Sequence, residues 1–229
     1  MMAGKRKAPP SKNPLTAKRG PSQATVIGSV VVVAFAAVVG FGVFWNNQPA
    51  DVVVPQNATA QGISTGNAAA AKKIDIYLDF QCPACKQFQQ LSGSTIDELR
   101  DSGQAEVIYH PIAILDNTSP DRFSSRSAAA AGCVAEAGAF PQWEKLMYEN
   151  QPRERDAGLT TAQMAQLAQQ AGAQGDVTSC IEDERFEPWA QSITQQAFQA
   201  EVQSTPTVKV DGQTIDNPVP DALKQAVAS

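Results

Sequence analysis

The sequence predicts an α/β domain, a βαβ unit and a closing ββα unit separated by a block of helices, behind a single N-terminal transmembrane helix. Three observations carry this. A 20-residue uncharged run occupies 26–45, an alternating–helical–alternating pattern runs from 73 to 110, and helical periodicity from about 122 to 204 gives way to a strand–turn–strand signal.

Residues 1–25 hold six basic residues and no acidic one (Lys5, Arg6, Lys7, Lys12, Lys18, Arg19), and residues 26–45 read VIGSVVVVAFAAVVGFGVFW. A helix of that length spans ~30 Å, the thickness of a bilayer's hydrocarbon. Basic residues lie on one side only, and Trp45 ends the run as an interfacial aromatic does, so residues 1–25 are expected in the cytoplasm and the rest outside. The alternative, a cleaved signal peptide, has a shorter apolar region and a small-residue cleavage site close behind it. Here Ala58-Thr59-Ala60 has that composition but sits far downstream. Residues 46–61 are polar and proline-containing and are expected to be a tether with an r.m.s. span of ~20 Å. Beyond residue 45 the chain carries 12 basic against 23 acidic residues. Such an acidic body excludes nucleic acid as a partner, because phosphate neutralisation needs clustered Lys and Arg.

The folded domain is expected over 62–229. Residues 73–80 (KIDIYLDF) alternate and then turn apolar, as a strand entering a core does. Residues 83–102 follow as a helix, with Pro83 at its first position, Gly103 at its stop, and Phe88, Leu91, Thr95, Ile96 and Leu99 on the apolar face. Residues 105–110 alternate again, which completes a right-handed βαβ unit. Helices are expected at 127–137, 142–150, 160–172, 176–184 and 188–202. The third opens on a capping box, Thr160 with Gln163, and a hydrophobic staple, Leu159 with Met164. Trp143, Met147, Trp189, Ile193 and Phe198 fit core spacing. Residues 207–210 read as a strand, Asp211-Gly212 as a tight turn, 213–216 as the partner strand, and 221–228 as a final helix.

Cys82-Pro83-Ala84-Cys85 sits where the first strand hands over to the helix. Backbone N–H groups of a first turn have no partners within the helix, and the helix dipole adds partial positive charge, so a thiolate is stabilised there. Cys82 is expected to be the exposed attacking sulfur and Cys85 the shielded one that resolves a mixed disulfide. The Thr205-Pro206-Thr207 segment precedes the 207–210 strand. On residue physics alone an ordinary trans proline opening a strand is the preferred reading, and a cis bond is the alternative. Cys133 and Cys180 fall in predicted helices. A bridge between them would stabilise by ~4 kcal/mol, while a second redox pair or two buried thiols are the other readings. A tetrathiolate zinc site using all four cysteines has only one knuckle-like pair to build on. His110, the single histidine, reads as packing or surface. No Ser/His/Asp set, phosphate loop or H-E-x-x-H motif is present, which leaves hydrolase and nucleotide chemistry without residues.

The pattern D-F-x-C-P-x-C at 79–85, T-P-T at 205–207, and helices inserted between βαβ and ββα resemble the DsbA-like oxidoreductases of thioredoxin-like fold. The segments YHPIAILD at 109–116 and SSRSAAAA at 124–131 are similar to the membrane-anchored actinobacterial members of that family. The resemblance spans about residues 62–228. It implies a redox-active Cys82–Cys85 disulfide supported by Pro83, Ala84, Thr205 and a cis Pro206, and it favours a structural Cys133–Cys180 disulfide. It further implies no bound cofactor, reduced exported polypeptides as substrates, and reoxidation by a quinone-linked membrane enzyme of the VKOR or DsbB type. Two departures matter. The inner dipeptide is Pro-Ala rather than Pro-His, so no imidazolium assists Cys82, and a milder potential is expected. The acidic residue often found six positions before the first cysteine is Ile76 here. Asp79 lies nearer the cysteines, either as a proton carrier or as a helix-terminal or surface acid. Running the same pair as a reductase or isomerase, or using it as a metal-binding or chaperone module, are the rival readings.

Overall fold

The computed structural model describes residues 52–229. The basic segment, the apolar run at 26–45 and the first residues of the tether lie outside the described residues. Among the described residues no helix is long and apolar enough to cross a membrane.

A five-stranded sheet has the order β1-β3-β2-β4-β5. It comprises β1 (Ile63–Thr65), β2 (Lys72–Leu78), β3 (Ala105–Pro111), β4 (Thr207–Val210) and β5 (Gln213–Thr214). The helices are α1 (Pro83–Asp101), α2 (Phe123–Glu136), α3 (Phe140–Glu149), α4 (Thr161–Gln170), α5 (Val177–Glu182), α6 (Glu187–Gln199) and α7 (Pro220–Ala228). β2 and β3 are parallel, joined through α1, and the other pairs are antiparallel. This is the expected βαβ…ββα frame, with α2 to α6 inserted between β3 and β4.

Local chemistry explains most boundaries. Ile74, Ile76 and Leu78 alternate inward on β2. Pro83 opens α1 at a position whose N–H would be unpaired in any case. At α4 the Thr160 hydroxyl accepts from Gln163 N at 3.2 Å while the Gln163 side chain accepts from Thr160 N at 2.9 Å, and Gly172 follows the helix at φ +86°. Asp211 and Gly212 both take positive φ in the tight turn between β4 and β5.

Several expectations are corrected. β1 was not foreseen, since three residues carry no measurable alternation. α2 starts at Phe123, four residues early, because Ser119 Oγ accepts from Phe123 N at 3.1 Å and Asp116 Oδ1 from Ser125 N at 2.9 Å. These caps stand outside the helix. Leu91 and Phe198 are 58% and 56% exposed. Phe198 lies one residue, about 100°, past the buried Trp189–Ile193–Ala197 stripe, and Leu91 is displaced likewise from the stripe through Ser92, Ile96 and Leu99.

The tether is not free over its described half. Asn57 Nδ2 donates to Ala135 O at 3.3 Å, Trp189 Nε1 to Thr59 O at 2.9 Å and Gln196 Nε2 to Ala60 O at 2.9 Å. His110 is buried; its Nδ1 lies 2.7 Å from Gln61 O, its Nε2 2.9 Å from Asp75 Oδ1, and its ring stacks on Tyr77. The tether's own carbonyls make it a docked strap.

Candidate active site

Cys82 is the N-cap of α1, with extended backbone (φ −74°, ψ 118°), and its N–H donates to Asp79 O at 3.0 Å. The joint is thereby a tight turn from β2 into the helix. No acidic residue occupies the first turn of α1, so nothing opposes the positive end of the helix there.

The structure brings Cys82, Cys85, Thr205 and Pro206 together. Both cysteines are free thiols, and the Thr205–Pro206 peptide is cis. Cys82 Sγ lies 3.2 Å from Thr205 O. The expectation of an exposed Cys82 is corrected: covered by the Thr205 loop, it is only 7% exposed, although Cys85 at 1% is more enclosed still.

The acidities of the two sulfurs are driven in opposite directions. The Cys82 pKa is lowered to about 6, chiefly because the Cys85 thiol donates to the Cys82 thiolate. Burial works against this, and the Thr205 hydroxyl with the backbone N–H groups of Cys85 and Ala84 adds to it. Cys85 is pushed well above the ordinary thiol range by burial first and by the neighbouring Cys82 second. The Thr205 hydroxyl is buried with no hydrogen-bond partner in the resting geometry, so its contribution to either sulfur requires the hydroxyl to turn toward it.

Asp79 is not a surface acid. It is fully buried, and its carboxylate accepts from Gln81 N (2.9 Å) and Ser124 Oγ (2.7 Å) on Oδ1 and from Leu115 N (3.0 Å) on Oδ2. Burial nevertheless outweighs these donors and raises its pKa to about 6, with the Cys82 charge as a smaller contribution in the same direction. Gln81 is buried too, and its Nε2 has no partner. Ser124 and Leu115 reach this network from 45 and 36 residues away, so no local signal in the sequence announces them.

Cys133 on α2 and Cys180 on α5 are joined as a disulfide, 47 residues apart in sequence. They are therefore not available to make a tetrathiolate site with the first pair. His110 belongs to the strap.

A thiolate and a protonated thiol three residues apart, at the start of a helix and next to a buried carboxyl, can exchange disulfides with another thiol pair. The thioredoxin family matches the chain over residues 58–229. DsbA of Mycobacterium tuberculosis in its reduced form is similar at 30% identity and a TM-score of 0.65, over 73% of this chain and 90% of that one. The thiol–disulfide oxidoreductase MdbA of Corynebacterium diphtheriae has the same fold at a TM-score of 0.63 and 23% identity, over 79% of this chain and 97% of its own. The serine/threonine-protein kinase PknE of M. tuberculosis is 33% identical over 127 residues, 52% of this chain. The chain spans about a fifth of the length of that curated relative, 22%.

Proposed function

The chain belongs to the thioredoxin family, among its DsbA-like thiol–disulfide oxidoreductases, and on that basis we propose that it is a membrane-anchored dithiol oxidase working outside the cytoplasm on newly exported polypeptides. The observation that carries this reading is the divergence of the two sulfurs, with Cys82 held as a thiolate near neutral pH and Cys85 as a thiol.

In the oxidised enzyme a substrate thiolate attacks Cys82 Sγ, a substrate–Cys82 bond forms, and the Cys82–Cys85 bond breaks. Cys85 leaves and takes up a proton, as its raised pKa requires. The substrate's second thiolate then attacks the substrate sulfur of the mixed disulfide and expels Cys82. A low-pKa thiol is the better leaving group, so release favours the donated disulfide. Two electrons pass to the enzyme; of the substrate's two protons, one rests on Cys85 and the other goes to solvent. Reoxidation falls to a quinone-linked membrane enzyme of the VKOR or DsbB type, and no bound cofactor takes part.

Anchoring at 26–45, with 1–25 inside, is supported by the uncharged run and its one-sided basic flank. Pro83, Ala84, Thr205, Pro206 and Asp79 are assigned as support for the redox pair, and Cys133–Cys180 as a structural disulfide.

Equilibration of the full chain in glutathione buffers tests the direction of electron flow. A potential above about −200 mV, with disulfide transfer to a reduced substrate protein, fits an oxidase. A value near the thioredoxin level of about −270 mV would turn the same pair into a reductase. In parallel, alkylation of the reduced protein should show one reactive thiol, Cys82, titrating near 6, with Cys85 silent until the protein is unfolded.

A further inference from the structure

Gln151 follows α3 in the inserted helical block, and its half-buried side chain crosses to the redox joint. Its Nε2 donates to two carbonyls, Phe80 O and Cys82 O, both at 2.9 Å. These carbonyls flank Gln81, and the second belongs to the reacting cysteine. Cys82 O is also the first acceptor of α1, taking Cys85 N at 3.1 Å and Lys86 N at 3.3 Å.

From this geometry we propose that Gln151 is a positioning residue for the Cys82 thiolate, a clamp through which the inserted block sets the acidity of the redox centre. The inference rests on the reading of Cys82 as the reacting thiolate. Two effects follow from one amide. A carbonyl oxygen is the negative end of a dipole; one of these belongs to Cys82 itself and the other lies two residues before it, so both add negative potential at the redox joint, and the two amide hydrogens offset it at both. The same bonds fix the backbone on either side of Gln81 and with it the start of α1, whose Ala84 and Cys85 N–H groups favour the thiolate. The partners lie 71 and 69 residues apart in sequence, so the segment that follows α3 in the inserted block reaches the redox joint directly.

The test uses the full chain in detergent and compares wild type with Gln151→Met, which keeps the side chain's length but donates nothing, and Gln151→Glu, which sets a carboxylate against both carbonyls. Thiolate absorbance and alkylation of Cys82 are followed against pH, with the denaturant midpoint as a control for folding. At pH 6 alkylation should fall about threefold in Gln151→Met and about tenfold in Gln151→Glu, as the thiolate fraction drops. The equilibrium with glutathione should shift in the same order toward a less oxidising enzyme, and the Gln151→Met protein, although its denaturant midpoint falls because two carbonyls lose their donor, should remain folded throughout the pH range of the titration. Coincident titration curves for wild type and Gln151→Met, or a loss of stability with the titration unmoved, would overturn the clamp. A wild-type Cys82 that titrates like an ordinary thiol would instead overturn the underlying assignment of the thiolate, and the clamp with it.

Discussion

Replacing Asp79 by Asn removes a buried charge while keeping the shape of the side chain. The carboxyl is raised from 3.8 to about 6 by burial, so the folded protein holds this proton to a higher pH than the unfolded chain does. Stability from this group is therefore complete below the unfolded value and is lost as pH rises through about 6. The loss amounts to about 3 kcal/mol once the carboxylate has formed. Asparagine does not ionise, so its contribution is flat over the same window. A constant offset acts against the variant. The amide oxygen can take over the bonds from Gln81 N and Ser124 Oγ, but its NH2 then faces Leu115 N–H, and an unpaired buried donor costs about 1–3 kcal/mol. The expected signature is thus a difference that moves with pH: between pH 4 and pH 8 the variant should gain about 2 kcal/mol relative to its parent, the remainder of the loss falling below pH 4. Denaturant unfolding in a Cys82→Ser background isolates the carboxyl from the thiolate, whose own influence on Asp79 is the smallest of its perturbations. Parallel stability curves for the two proteins would refute the argument, because they would mean that Asp79 ionises at the same pH in the folded and unfolded chain.

Two further outcomes are open to measurement. Substituting both Cys133 and Cys180 by Ala reopens the loop closed by their bridge and should cost about 4 kcal/mol in denaturant unfolding, with the glutathione equilibrium of Cys82–Cys85 unchanged; a shift in that equilibrium would make the bridge a second redox pair. His110→Phe preserves stacking on Tyr77 but strands Asp75 and the Gln61 carbonyl, so about 2–4 kcal/mol should be lost and residues 52–61 should become open to proteolysis, whereas a protected strap would refute its anchoring role.

Which features could be read in advance depends on how far apart their partners are along the chain. The capping box of α4 lies within four residues, the turn at Asp211-Gly212 within two, and the proline opening α1 within one, and the sequence signal at each matches the structure. The cysteine pair belongs to this group. Its position at a strand-to-helix joint is local, and so is the supply of N–H groups from Ala84 and Cys85 that favours the thiolate. The Cys85 thiol, the largest stabiliser of that thiolate, is local too, but other partners in the site are not. Thr205 arrives from 123 residues downstream, and Asp79, which the sequence leaves open between a proton carrier and a helix-terminal or surface acid, is enclosed by donors 36 and 45 residues away. The strap was hidden for another reason: apart from Asn57, it is held by its own backbone carbonyls, which every residue possesses and no side chain marks. Even α2 begins early because Ser119 and Asp116 cap it from outside. The chemistry of the site is thus encoded twice. A short motif sets up a thiolate and supplies its largest stabilisation, while burial and the distant Thr205 adjust it, so enzymes with identical motifs but different surroundings are free to differ in potential.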